Sequence, residues 1–117
     1  MLKSLWFVPI IAATLIAQTP VKTGNAENGK RLFLRNGCYQ CHGTVGQGGL
    51  AGARLAQSKL SLTAFTAYVR NPPPGNMPPY REKVMSDAEL ADVYAYIKSI
   101  PESPAAKSIP LLSQLPQ

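Results

Sequence analysis

Both cysteines and the only histidine of this 117-residue chain fall within five consecutive positions, Cys38-Tyr39-Gln40-Cys41-His42. That clustering limits the possible folds more than any other feature. Two thiols this close cannot tie distant segments together, so a disulfide-stapled scaffold is excluded. A bond between them would close too short a loop to stabilise the chain much. A structural zinc site needs four ligands, and there is no second Cys/His pair to complete one. A thioredoxin-like redox pair needs C-x-x-C beside a β-α-β pattern, and no strand pattern of useful length occurs here.

The spacing C-x-x-C-H instead reads as the attachment motif of one c-type haem. Two thiols separated by two residues reach the two vinyl groups on one edge of a porphyrin, each forming a thioether. The next residue is then directed beneath the ring, where an imidazole nitrogen can bind iron. Cys38 and Cys41 are thus the candidate covalent anchors and His42 the candidate axial ligand.

The N-terminus carries Lys3 and then a 13-residue apolar run from Leu5 to Ala17, interrupted at Pro9 and Thr14. A bilayer span needs about 17–25 apolar residues and a secretory leader about 7–15. Residues 1–17 therefore read as an export signal, with cleavage after Ala17 or as late as Ala26. An uncleaved anchor or a buried first helix are the alternatives. Export agrees with the motif, because c-type haem is attached outside the bacterial cytoplasm, and it predicts a periplasmic location. Residues 27–100 read as one domain and 101–117 as a proline-rich, exposed tail. Lys and Arg outnumber Asp and Glu by 12 to 6, a net charge of +6. The basic residues form no run and no reading motif, which argues against nucleic acid and for an acidic protein partner.

The local pattern is helical. Glu27 to Arg35 places Gly29, Leu32 and Phe33 on one face and Lys30, Arg31 and Arg35 in water, and Asn36-Gly37 stops it. Ser61 can cap a helix to Arg70 with Leu62, Phe65 and Val69 on one side. Ser86-Asp87-Ala88-Glu89 is a capping box, opening a helix to about Ser99 with Leu90, Val93, Tyr96, Ile97 and Ile100 facing inward. Two loops separate these helices. Residues 43–52 (GTVGQGGLAG) are glycine-rich, which suits backbone that must pass close to a bulky group. Pro72 to Tyr80 (PPPGNMPPY) holds five prolines and must be extended.

Four stretches in order, NGKRLFLRNGCYQCHG, GARL, YVRNPPPGNMPPY and DVYAYIKSI, resemble small bacterial class I c-type cytochromes. The resemblance covers roughly residues 26–100. It implies an all-α, cytochrome c-like fold of three main helices and long loops wrapped around one covalent haem c. Gly29 and Phe33 of the first helix would cross Val93 and Tyr96 of the last. It also implies a methionine opposite His42. Met77, gripped by the proline loop, suits that role better than Met85, which lies just before the last helix. The carbonyl of Ala53 would fix the His42 ring, although Ala stands where the family's stretch carries proline. Arg54 and Tyr80 match positions near the haem propionates, Arg70 is a further candidate, and Tyr68 matches the aromatic on the haem face.

Iron with two protein ligands leaves no open position for substrate, so the resemblance implies one-electron transfer rather than enzymatic bond chemistry. The chain would be a free carrier or the cytochrome subunit of an oxidoreductase complex. It would accept electrons from a dehydrogenase and pass them to an oxidase or another cytochrome. The alternative is a ligand-binding or sensor haem protein, or a small haem peroxidase, whose sixth ligand is labile.

Overall fold

Helix α1, Ala26–Arg35, begins where the Asn25 side chain accepts the Asn28 N–H at 2.9 Å, with Glu27 in its first turn and Arg35 in its last. Both charges complement the helix dipole. In this computed structural model residues 24–114 are described, so the leader expected over residues 1–17 lies outside them. Asn36 closes α1 by giving both its backbone N–H and its side-chain amide to the Leu32 carbonyl. Gly37 then turns left-handed at φ 76° and leads directly into α2, Cys38–His42. The motif is therefore a helix in its own right, too short to show any periodicity in the sequence.

Ser61 caps α3, Leu62–Arg70, through the Ala64 N–H at 3.2 Å. The helix stops at Asn71, because the residue before a proline avoids helical angles. Both halves of the capping box at Ser86 and Glu89 are formed at the start of α4, Asp87–Ser99. The far end of α4 is held by a loop residue. Gln57, the one non-glycine residue with positive φ (61°) among those described, gives its N–H to the Ile97 carbonyl and its side-chain amide to the Ile100 carbonyl. Carbonyls left unpaired by the end of the helix are thus satisfied from outside it.

The expected all-α architecture of three main helices and long loops is present, and no strand occurs among the described residues. Its centre is the crossing of α1 on α4. Gly29 lies so close to α4 that a Cβ there would overlap the Asp92 carbonyl. This close approach lets Phe33 stack edge-on against Tyr96, with ring centroids 5.5 Å apart. Phe33 and Ile97 are completely buried, each contributing about 2–3 kcal/mol of hydrophobic stabilisation. Asp92 fastens the crossing by accepting the Asn25 N–H at 2.6 Å and the Asn28 side-chain amide at 2.7 Å. Helix α3 adds Phe65 and Val69 to the same core, and Phe65 packs on Tyr94 at 5.6 Å.

The tail, read from the sequence as proline-rich and exposed, carries short turns of its own. It is mostly exposed, but it contains a 3-10 turn at Ala106–Ser108 and a single-turn helix α5, Pro110–Ser113. Proline suits the first helical position, since its fixed φ is already helical and its missing N–H would have had no partner there. No helix among the described residues is long and apolar enough to cross a membrane.

Candidate functional site

The glycine-rich segment after α2 folds back on the motif. Gly43, Gly46 and Gly48 all take positive φ, a conformation that costs glycine little. The Gly48 N–H bonds the His42 carbonyl at 2.8 Å. Gly52 lies flat against Cys41, where a Cβ would sit only 2.8 Å from the Cys41 carbonyl oxygen. At Gly52 the close neighbour is therefore the motif's own backbone, whereas Gly46 and Gly48 sit against residues 53–56 of the returning loop. The fold-back delivers the Ala53 carbonyl to His42 Nδ1 at 2.7 Å. With Nδ1–H donating to that carbonyl, the lone pair of Nε2 is left available to a metal.

A cavity of about 560 Å³ opens beside this arrangement, within the size range of cofactor sites. Its wall brings Met77 together with Cys38, Cys41 and His42 of the motif, from which it is far apart in the chain. Ala53, Arg54, Tyr68 and Tyr80 line it as well. The inner wall is the apolar core itself, from Phe33, Phe65 and Val69 to Met85, Leu90 and Val93. Sequence periodicity marks most of these residues as core, but it cannot show that the core stops short of filling itself.

Each predicted residue has a definite setting. The Tyr80 hydroxyl donates to the Asn36 carbonyl at 2.8 Å, and its N–H bonds the Val69 carbonyl at 3.0 Å. The Tyr68 hydroxyl accepts from the Asn76 side chain at 3.2 Å, next to Met77. Arg54 reaches the Ala56 carbonyl at 3.3 Å and the Ser103 hydroxyl at 3.4 Å. Arg70, a candidate for binding an acidic group in the cavity, has its guanidinium engaged by the protein. It donates to the carbonyls of Tyr80 and Met85 and to the Asp87 carboxylate, each at 2.6 Å. Met85 is almost fully buried in the core, whereas Met77 is half-buried on its loop.

The donor set defines what the cavity can hold. The two thiols are unpaired, Cys41 exposed and Cys38 half-buried. Burial pushes the Cys38 thiol above its ordinary value. It likewise raises the Tyr80 phenol, helped by the nearby Cys38 thiol. Among the described residues no three His, Cys, Asp or Glu side chains converge into a metal cage. One imidazole and one thioether on an apolar wall therefore suit a metal that brings further ligands of its own. A flat apolar macrocycle that the two thiols can capture meets that requirement.

Residues 24–97 match the family model described as cytochrome C oxidase, cbb3-type, subunit III. The comparisons with curated proteins and with solved structures gave no match.

Proposed function

Since the chain belongs to this family of class I c-type cytochromes, whose domain carries out haem-based electron transfer, we propose that it is a periplasmic one-electron carrier with a single covalent haem c. It works either free or as the cytochrome subunit of an oxidoreductase complex. The oxidase named in the description of the family supports the second form.

The observation that carries this reading is the shared cavity. It is lined by both thiols of the motif, by His42 with Nε2 left available, and by the thioether of Met77. In this reading Cys38 and Cys41 would hold the haem covalently, and His42 and Met77 would bind its iron. The bound haem supplies reversible one-electron exchange, at a potential that methionine ligation raises. Ala53 fixes the orientation and tautomer of the His42 ring, a second-shell bond that also strengthens imidazole as a donor. The apolar wall excludes water from the inner face. Tyr68 and Tyr80 stiffen the rim, and Arg54 stands at its edge. The exposed Lys30, Arg31, Arg35, Arg81 and Lys83 favour an acidic redox partner and salt-sensitive encounters.

The test is Met77→Ala in the haem-loaded protein. The weak red absorption band of methionine-ligated ferric haem should disappear and the reduction potential should fall. Retention of both would remove Met77 from the iron. Rapid, complete carbon monoxide binding by the reduced wild-type protein would favour the ligand-binding alternative instead.

A further inference from the structure

We propose that Arg70 is a positioning residue that seats the Met77 loop, an inference that rests on Met77 being the iron's sixth ligand. The prolines of residues 72–79 give the loop its local shape, but shape alone does not place it. Within the loop, the Asn76 N–H bonds the Pro73 carbonyl at 3.2 Å, and the Asn76 side chain reaches Tyr68. Nothing lies within 4 Å of a Cβ built at Gly75. The loop is therefore stiff but lightly attached at its tip, with Met77 its one side chain there packed against the core.

Its attachment is at the base. The Tyr80 N–H bonds the Val69 carbonyl at 3.0 Å, bringing the end of the loop back to the helix from which it left. Arg70, the last residue of α3, reinforces this closure. Its Nη1 donates to the carbonyls of Tyr80 and Met85, and its Nη2 to Asp87 in the first turn of α4. One guanidinium thus ties together the end of α3, the end of the loop and the start of α4. The Arg70 side chain is only 16% exposed, so its two bonds to backbone carbonyls are part-buried, while the Asp87 carboxylate that it also reaches stands in water. Charge-assisted bonds to backbone carbonyls are about twice as strong as neutral ones, and removing the donor strands two acceptors. A thioether is a weak ligand, so even a modest loosening at the base will shift occupancy from Met77 to a competing ligand.

The experiment compares haem-loaded wild type, Arg70→Met and Arg70→Lys at a temperature where circular dichroism shows each fully helical. In Arg70→Met the methionine-ligation band should weaken, and imidazole should bind the ferric protein about tenfold more tightly, the weight of one charge-assisted hydrogen bond. Amide hydrogen exchange should quicken within residues 71–80 and stay unchanged in α1. Arg70→Lys keeps the charge but loses the fork, and should fall between the two. If Arg70→Met yields no loaded protein, Arg70→Lys decides alone. An unchanged band and unchanged imidazole affinity in the folded variants would overturn the proposal. A wild-type protein that lacks the band would fail the ligand assignment itself, so the two failures are distinguishable.

Discussion

The α1–α4 crossing and the loop shell around the cavity are built on opposite principles. At the crossing, backbones touch, rings interlock and two completely buried side chains fill the space between the helices. In the loop shell, residues 43–60 and 71–85 are held mainly by hydrogen bonds to carbonyls, and the apolar surface they enclose faces a cavity. The crossing is complete as protein. The shell has its geometry set from outside, by α4 through Tyr94, Tyr96, Lys98 and the carbonyls to which the shell's Gln57 donates, and by Arg70 at the base of the Met77 loop. A domain this small can support a large cavity because its rigidity is concentrated at one crossing.

Two glycines allow that contrast to be broken on either side. Gly29→Val forces a branched side chain into the Asp92 carbonyl and should cost about 3 kcal/mol, read as a lower urea midpoint. An unchanged midpoint would mean that the crossing is looser than described. Gly75→Ala meets open space but must adopt φ near 85°, so only backbone strain of about 1 kcal/mol is expected. A loss equal to that of Gly29→Val would show the loop to be as tightly packed as the crossing.

The smallest effect concerns the junction of the two regions, at the start of α4. The Glu89 carboxyl is held below its ordinary value, chiefly by the Ser86 backbone N–H, with further help from the Ser86 hydroxyl and Arg35. A lowered carboxyl stabilises the fold fully above the ordinary carboxylate range and loses that contribution as pH falls through the lowered value. Glu89→Gln should therefore be slightly less stable than wild type at neutral pH, and the gap should close in acid. Urea midpoints measured across pH would show it; a constant gap would exclude this role.

Legibility in the sequence followed how locally each feature is determined. The capping box at Ser86 and Glu89 spans four residues, and the stop at Asn71-Pro72 needs two, so both are readable without tertiary context. The crossing at Gly29 is legible only through the resemblance to class I c-type cytochromes, because a glycine on a helical face does not by itself say which helix it meets. The helix over Cys38–His42 and the turns of the tail are too short to carry a period. Arg70 was the least legible. Nothing in YVRNPPP shows that its partners are two carbonyls ten and fifteen residues further on, because those bonds exist only once α3 and α4 have packed. The same holds for Met85, which reads as a residue before a helix and forms part of the cavity wall.

The seat of Gly24 against Ala91 has a topological consequence. The chain enters the fold beside the first half of α4 and leaves it at Ile100, the end of the same helix. Nine residues of helical rise separate those two points, about 14 Å. Both ends of the described helical core therefore lie along one helix, within reach of a short linker.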